Sequence, residues 1–352
     1  MEVCCDTENV INDDDPRDPS VRRLAPASIR STMTSAASPA VPLALVMGGS
    51  RGFGLLLARE LGRRGHRLVI CARDADELER AAADLRSAGH DVTTETCDVT
   101  NRDQVDDLVR RVEEAQGPIE VMICVAGIIQ VGPLEALTRE HFTSAIDTML
   151  WGPINISLAV VPGMRERKRG RIGLITSVGG LVSVPHLLPY CSAKFGAVGF
   201  SRGLRAELAG SGVSVTTVAP GLMRTGSHLR AHFVGNHAAE FAWFSAGASL
   251  PFVSIDAERA AAQVVSGILV GRAMVVTTPL ARIGWRIDAL FPTLTSAVFD
   301  LAAQLLPSSS APAETVEGWQ AAQRMSPSGR RVSDAITTLG RRAADRFNEH
   351  RG

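Results

Sequence analysis

A glycine-rich turn between an apolar run and a helical stretch constrains the fold of this chain more than any other feature. The run Leu43–Val46 is typical of a buried parallel strand, and glycines at positions 48, 52 and 54 follow it with the spacing GxxxGxG. Glycine permits a tight turn against a pyrophosphate, and the helix beginning there presents free N–H groups. A purely structural turn is the alternative. The pattern predicts a doubly wound α/β fold with a parallel sheet and a dinucleotide site. The turn residues predicted to bind the dinucleotide are Gly48, Ser50, Arg51, Gly52, Phe53 and Gly54.

The end of the next predicted strand, residues 67–72, bears on which dinucleotide binds. An NAD site commonly has an acidic residue there, which holds the ribose 2′-hydroxyl. Here the strand is followed by Arg73, and Arg51 lies in the glycine turn. Two guanidiniums suit a 2′-phosphate, which accepts charge-assisted hydrogen bonds. The residues favour NADP(H) over NAD(H), although Asp74, one position further on, keeps NAD(H) open as the second interpretation.

Tyr190 is the only tyrosine of the chain, and Lys194 follows it on a segment with helical character. Residues four apart share one face of a helix, so the ammonium can lie near the phenol oxygen. A free phenol has a pKa of about 10, and a nearby positive charge lowers that pKa. Alone the pair is a weak signal, because most such pairs lie on ordinary helix surface. The order of the other motifs gives it weight.

Further strand patterns continue the alternation with helices. A third strand is predicted to close at 97–100, a fourth covers 119–127, a fifth covers 172–177, and a sixth covers 213–218 and runs into 219–225. Together with the glycine turn and the Tyr190–Lys194 pair, these motifs resemble the classical short-chain dehydrogenase/reductase family from about residue 42 to about residue 280. Each motif is modest alone, but their order is highly specific. The resemblance implies a single main Rossmann domain.

The resemblance also implies a role for each matching residue. Tyr190 is similar to the family's general acid/base, Lys194 to the residue that lowers its pKa and holds the nicotinamide ribose, and Ser177 to the donor that orients the substrate oxygen. Asp98 is similar to the acidic residue that bonds the adenine amine, with Val99 beside it. The other positions that match cofactor-binding motifs are Ala126, Gly127, Pro220, Gly221 and Thr225, and no metal ligands are expected.

Three positions depart from the family pattern. Cys124 and Val125 stand where the family usually has asparagines, and Met149 stands where a catalytic asparagine is usual. In the family that asparagine is thought to hold a relay water through its main-chain carbonyl. Met149 still offers a carbonyl, but its thioether cannot make the hydrogen bonds of an amide. The proton relay is therefore the weakest part of the resemblance.

The implied function is reversible hydride transfer between NADP(H) and a carbonyl/secondary alcohol pair. An apolar substrate is favoured, because the expected lid over the substrate, at about 226–255, is rich in aromatic residues, as apolar pockets are. The alternative is a non-catalytic NADP(H)-binding sensor or scaffold on the same fold. Cys124, Val125 and Met149 favour that alternative, and the complete set of Ser177, Tyr190 and Lys194 opposes it.

Composition limits the partners and the compartment. Basic and acidic residues number 37 each, which gives no electrostatic footprint for nucleic acid. No segment reaches the roughly 18 uninterrupted apolar residues of a membrane span. Four cysteines fall in or beside predicted core elements, which favours buried, reduced thiols and a cytoplasmic location. They are Cys71, Cys97, Cys124 and Cys191.

The two ends of the chain lie outside the expected domain, 41–282. Residues 1–40 lack hydrophobic periodicity and are expected to be a disordered leader. Residues 283–306 form an apolar helical extension, for which three roles are open: capping the substrate pocket, pairing subunits in a homo-oligomer, or lying in a membrane surface. Residues 307–352 are expected to be a linker followed by an amphipathic C-terminal helix. The apolar face of that helix includes Ile336, Leu339, Ala343 and Phe347.

Overall fold

A seven-stranded parallel sheet forms the centre of the computed structural model, which describes residues 41–249, 254–308, 314–326, 343–344 and 346–349. In space the strands are ordered β3-β2-β1-β4-β5-β6-β7, so the chain winds outward in both directions from β1. Along the chain they are β1 Leu43–Met47, β2 Arg67–Ala72, β3 Val92–Thr96, β4 Ile119–Cys124, β5 Gly170–Ile175, β6 Val213–Ala219 and β7 Met274–Val276.

Helices cover both faces of the sheet, and the predicted doubly wound α/β fold is confirmed. Helices α1, α2 and α8 pack on one face, whereas α3, α5 and α6 pack on the other. Strands buried on both faces need nearly continuous apolar runs, and every residue of β1 is buried. The helices are α1 Gly52–Arg63, α2 Ala75–Ser87, α3 Arg102–Gln116, α4 Arg139–Ile146, α5 Gly152–Glu166, α6 Leu188–Glu207, α7 His237–Ser249, α8 Ala257–Leu269, α9 Pro279–Leu290, α10 Pro292–Gln304 and α11 Gly318–Gln323.

The helical run Arg139–Glu166 contains a π-helical turn at Asp147–Trp151, which joins α4 to α5. A π turn shifts the hydrogen-bond register and is frequent at functional sites. Among the described residues, this run is a helix that could cross a membrane by length and composition alone. The mean hydropathy of its most apolar window is 1.3. Because 44% of its apolar window is buried inside the domain, the apolar composition matches a core helix as well.

The loop after β4 and segments after β6 build a second, smaller layer over one end of the sheet. Strands Gln130–Val131, His232–Phe233 and Val316–Glu317 pair in a small three-stranded sheet, and α7 lies within the expected lid. The expected linker at 307–352 therefore contains a strand and the helix α11, and its description as a plain linker was wrong for residues 316–323. Pairing of Val316 with Phe233 brings this segment to the lid.

Helices α9 and α10 form an apolar helical hairpin, which begins at Pro279 instead of residue 283 and breaks at Phe291. Pro292 starts the second helix, since proline fits the first helical position. None of the residues of α10 is buried. The predicted leader 1–40 and the predicted positions Ile336 and Leu339 lie outside the described residues, whereas Ala343 and Phe347 are buried.

Candidate active site

A cleft of about 1050 Å³ borders the carboxyl ends of the parallel strands. This edge is where ligands bind in doubly wound sheets, because the strand order reverses there and leaves a crevice between the loops. The structure brings all of the predicted site residues to this cleft. They are Gly48, Ser50, Arg51, Gly52, Phe53, Gly54, Arg73, Asp98, Val99, Ala126, Gly127, Ser177, Tyr190, Lys194, Pro220, Gly221 and Thr225.

The hydroxyl groups of Ser177 and Tyr190 meet in this cleft. Ser177 lies two positions beyond the end of β5, and its Oγ accepts a hydrogen bond from the backbone N–H of Gly179 at 3.0 Å. Tyr190 lies in the first turn of α6, and Ser177 is near enough to lower the pKa of its hydroxyl. A side chain at Gly179 would begin 3.1 Å from Cε1 of Tyr190, so glycine leaves room for the ring. Two hydroxyls therefore converge on one point.

Lys194 lies one turn further along α6, buried at 5% exposure. Its Nζ donates a hydrogen bond to the carbonyl of Ile175 at 2.9 Å and lies 5.8 Å from the centroid of the Tyr190 ring. Burial lowers the pKa of Lys194 to about 8, because an ammonium loses hydration in the interior. A lysine with this pKa changes charge in the mildly alkaline range.

The pKa of Tyr190 moves in the direction opposite to the predicted one. Burial raises it to about 12, and the hydrogen bond with Ser177 offsets only part of that effect. Lys194 does not contribute to the shift in the Tyr190 pKa, and its Nζ donates to the carbonyl of Ile175. In this arrangement Tyr190 keeps its proton at neutral pH, which is the state of a proton donor.

The glycine turn leaves the N-terminus of α1 open toward the cleft. Gly48 has φ +87°, a left-handed conformation that glycine adopts without strain, and its N–H donates to the carbonyl of Cys71 at 2.7 Å. A Cβ on Gly54 would collide with the carbonyl of Gly48. The backbone can therefore approach a ligand closely, and the start of α1 offers N–H groups and partial positive charge. The turn fits the pyrophosphate of a dinucleotide.

Charged groups near this turn include two carboxylates that the sequence did not single out. Glu77, at the start of α2, accepts from Ser50 Oγ at 3.3 Å and from Arg230 Nη2 at 2.9 Å, and it lies 3.8 Å from Arg51 Nε. Glu349 is the second, and it lies 3.8 Å from Arg51 Nη1. Both carboxylates line the cleft. Both carboxylates lie far from the glycine turn along the chain, so no local sequence pattern pointed to them.

Asp74, the residue that kept NAD(H) open, caps helix α2. Its Oδ1 accepts a hydrogen bond from the backbone N–H of Glu77 at 2.9 Å. Such a side chain satisfies an otherwise free donor of the first turn. Arg73, immediately before it, is exposed at the mouth of the cleft. Arg73 and Asp74 both line the cleft, and one oxygen of the Asp74 carboxylate is bound to the helix.

The remaining predicted cofactor positions extend to either side of the centre. Asp98 Oδ1 accepts from the backbone N–H and the hydroxyl of Thr100, at 2.9 Å each. On the opposite side Gly221 N–H donates to Thr277 Oγ1 at 3.3 Å, and a Cβ on Gly221 would collide with Thr278. These bonds connect groups within the loop after β3 and between the loops after β6 and β7.

The positions that depart from the family pattern lie at the same centre. Cys124 ends β4 and is buried, and Val125 follows it along the cleft. Met149 lies inside the π-helical turn and is fully buried. Its Sδ would be 3.5 Å from a Cβ on Gly127, so the thioether fills the space between the π turn and the loop after β4. Apolar packing of Met149 therefore stands where an asparagine side chain would make hydrogen bonds.

The aromatic residues of the lid divide into two groups. Phe233 and Phe241 are buried against each other, with ring centroids 5.5 Å apart, and pack in one cluster with Val131 and Leu187 of the domain. Trp243 and Phe244 line the cleft, and Trp243 Nε1 donates to Glu240 Oε2 at 2.7 Å. Glu240 also bonds His186 Nδ1 at 2.9 Å. The wall of the cleft beyond Tyr190 is therefore aromatic, and its polar atoms are paired.

A family model for short chain dehydrogenases matches residues 42–231. The 3-oxoacyl-(acyl-carrier-protein) reductase of Mycobacterium avium is 34% identical over 181 residues, which cover 51% of this chain and 67% of that protein. The 17-beta-hydroxysteroid dehydrogenase 13 of Rattus norvegicus is 29% identical over 251 residues, which cover 70% of this chain and 78% of that protein.

Among solved structures, a substituted form of actinorhodin polyketide ketoreductase with NADPH superimposes with a TM-score of 0.60 and 30% identity. The superposition covers 68% of this chain and 97% of that chain. Enzymes of this kind act on small molecules and use nicotinamide dinucleotides. The extent of the family match, the fold and the cleft together show that this chain belongs to the short chain dehydrogenase family and is a hydride-transferring oxidoreductase.

Proposed function

We propose that the protein is an NADP(H)-dependent reductase of an apolar carbonyl compound, working reversibly on the corresponding secondary alcohol. The observation that carries this proposal is the meeting of the Ser177 and Tyr190 hydroxyls beside the buried Lys194, in the same cleft as the glycine turn. A bound nicotinamide supplies or accepts the hydride in this chemistry. The chain's own residues position the carbonyl and handle the proton.

Each side chain of the centre has a proposed role. Tyr190 donates its proton to the substrate oxygen as negative charge develops there, since its raised pKa keeps it protonated. Ser177 donates a hydrogen bond to the same oxygen and stabilises that charge. Lys194, one helical turn away, holds ribose hydroxyls of the cofactor with its ammonium and brings positive charge toward the phenol when it does so.

The preference for NADP(H) rests on charge at the adenosine end. Arg51 and the exposed Arg73 supply two guanidiniums at the cleft, and both can bind a phosphate bidentately. Oδ1 of Asp74 caps α2, which supports the preference for NADP(H). The relative of known structure with NADPH supports the same preference.

The apolar substrate is supported by the lining of the cleft beyond Tyr190. Leu187, Trp243 and Phe244 line that end, together with Ile128 and Ile129. Burial of apolar surface contributes roughly 25 cal/mol per Å², so this wall favours a hydrophobic ligand. An acyl chain, a steroid or an aromatic ketone each meets that requirement.

The direct test is a panel of carbonyl compounds and alcohols of graded apolarity, assayed with NADPH and NADH by nicotinamide absorbance. We expect turnover of apolar ketones with NADPH and much slower turnover of charged keto acids. Binding of NADPH without turnover of any member would instead favour the non-catalytic sensor or scaffold on the same fold.

The α9–α10 hairpin is proposed as a peripheral membrane contact of this cytoplasmic enzyme. None of its described residues lines the cleft, so a role in capping the substrate pocket has no support. Its apolar side chains are exposed, with Leu290 at 72% and Leu294 at 59%. Asp288, which interrupts the apolar surface, accepts a hydrogen bond from the Thr295 hydroxyl at 2.6 Å. Pairing of two subunits is the competing use of this surface.

A further inference from the structure

The C-terminal part of the chain lies on the glycine turn, at the place that the proposed function gives to the cofactor. Gly52, the first residue of α1, donates its N–H to the carbonyl of Phe347 at 2.7 Å. Asn348 donates from Nδ2 to the carbonyl of Ser50 at 2.9 Å and to the carbonyl of Glu77 at 3.1 Å. Backbone groups of the turn are therefore occupied by the chain's own tail.

The carboxylate of Glu349 completes this contact. It is 5% exposed, and a Cβ on Gly52 would collide with its Oε1, so the carboxylate rests against the start of α1. Its Oε2 lies 3.8 Å from Arg51 Nη1, and its main-chain carbonyl accepts from Arg230 Nε at 2.8 Å. An anion beside a helix N-terminus and an arginine has the surroundings that a phosphate group requires.

Further contacts fix the tail in this position. Ala344 packs so closely against Gly226 that a Cβ there would collide with it, and Phe347 joins the core cluster of α1 and α2. Arg346 Nη2 bonds Glu258 Oε1 of α8 at 2.7 Å, and Arg80 Nε of α2 bonds Asn348 Oδ1 at 3.3 Å. Anchors on three helices make this a specific docked segment.

The docked carboxylate and a bound dinucleotide exclude each other. A pyrophosphate needs the N–H groups and the positive end of α1. The Phe347 carbonyl takes the Gly52 N–H, and the Glu349 carboxylate lies against Gly52. Two anions at van der Waals distance repel strongly where water is excluded. Burial raises the pKa of Glu349 to about 7, so the charge repulsion grows as the pH rises through that value, whereas the steric exclusion is present at any pH.

We propose that the tail, residues 343–344 and 346–349, is an internal ligand of the dinucleotide site, which must leave before NADP(H) binds. The proposal rests on the proposed function. Docking reduces the fraction of molecules competent to bind, and the apparent dissociation constant rises by the inverse of that fraction. The tail thereby sets the NADP(H) concentration at which the enzyme becomes loaded.

The test compares full-length protein with Glu349→Ala and Asn348→Ala by titrating NADPH fluorescence. Removing either anchor should lower the dissociation constant for NADPH, by about tenfold for Glu349→Ala. The matched control is Glu166→Ala, a change at an exposed glutamate at the end of α5, and it should leave the constant unchanged. Equal or weaker NADPH binding by both tail variants would overturn the proposal.

Hydrogen exchange on the full-length wild type gives a readout that needs no substrate. Addition of NADPH should increase exchange in residues 343–349 while it protects residues 52–56. Slower exchange in the tail would mean that it closes over the cofactor, which overturns the proposed competition. If neither NADPH nor NADH binds the wild type or Glu349→Ala, the proposed function itself fails, and this outcome is distinct from equal binding by both.

Discussion

The three residues at the centre of the cleft have distinct tasks because their surroundings differ. Burial of the Tyr190 hydroxyl keeps its proton in place, burial of Lys194 lowers its pKa to about 8, and Ser177 is fixed by the loop after β5. The pKa of Tyr190 lies above that of Lys194. The proton donor and the charged group stay in their working states together over the neutral range.

Tyr190→Phe removes the phenolic proton and preserves the ring. General acid catalysis typically contributes 10²–10⁴-fold, so carbonyl reduction should slow by at least about 10²-fold. The dissociation constant for NADPH should stay within about threefold, because the ring keeps its packing. The rate is measured by nicotinamide absorbance with an active ketone, and the dissociation constant is measured by fluorescence titration. A mutant as fast as the wild type would exclude Tyr190 as the proton donor.

The lowered pKa of Lys194 predicts how NADPH binding depends on pH. Its pKa is lowered from 10.5 to about 8, so the ammonium is present below pH 8 and is lost as the pH rises through that value. The dissociation constant for NADPH should therefore increase above about pH 8. Tyr190 does not contribute, since its pKa of about 12 lies above this range. The same shift makes folding release a proton between pH 8 and 10.5, and this group therefore favours the folded state more as the pH rises there.

Lys194→Arg is the control for that pH dependence, because a guanidinium keeps its charge at alkaline pH. In this variant the dissociation constant should stay flat between pH 8 and 10, whatever its absolute value. A wild type that is equally flat would contradict the assigned role of Lys194.

At the scale of elements, the glycine turn and the strand end after β2 act together. The turn supplies N–H groups at the start of α1, and the neighbouring strand end supplies Arg73. The pair of guanidiniums can recognise a 2′-phosphate only because β1 and β2 are adjacent and in register, with Met47 opposite Cys71.

Replacement of Arg51 and Arg73 by alanine should weaken NADPH binding relative to NADH binding. Loss of two charge-assisted contacts predicts a fall of about tenfold or more in the preference for NADPH, because NADH has no 2′-phosphate, whereas release of Glu349 from Arg51 affects both cofactors equally. Parallel fluorescence titrations with both cofactors provide the comparison. If the wild type already prefers NADH, the interpretation of Arg73 and Asp74 is wrong.

The α9–α10 hairpin predicts an association that depends on its apolar surface. Leu290→Ser with Leu294→Ser should abolish flotation with phosphatidylcholine–phosphatidylserine vesicles, since exposed leucines contribute the burial energy. Leu134→Ser with Val270→Ser, two exposed apolar positions elsewhere, is the matched control and should float as the wild type does. Loss of a dimer in light scattering, without vesicle binding by any variant, would assign the hairpin to subunit pairing.

At the scale of the whole molecule, the sheet unites residues that are far apart in the chain. Loops after β1, β4, β5 and β6 all open on one edge, because every strand runs in the same direction. The lid and the segment 314–326 then close over that edge through the small sheet. Ligand binding should therefore stabilise the entire domain.

Thermal unfolding measures this coupling. NADPH at one hundred times its dissociation constant adds about 2.7 kcal/mol to the free energy of unfolding, which corresponds to a rise in Tm of about 5 °C for a domain of this size. NADH at the same concentration should give a smaller rise, and the Arg51→Ala, Arg73→Ala protein should respond to both cofactors alike. No rise with either cofactor would contradict a dinucleotide site in this cleft.

The sequence by itself determined the doubly wound sheet and the positions of the candidate centre. Buried parallel strands need apolar runs, a tight turn against a phosphate needs glycine, and a helix places Tyr190 and Lys194 on one face. Such requirements are local, so they leave local patterns in the chain. The last strand, Met274–Val276, was missed because three residues carry too little periodicity.

Only the tertiary structure decided which charges share the dinucleotide end of the cleft. Glu77 meets Arg230 across 153 positions, and Asn348 meets Ser50 across 298. Burial, set by the whole fold, also reversed the expected direction of the Tyr190 pKa. Contacts and desolvation of this kind depend on how the elements pack, and no short segment encodes them.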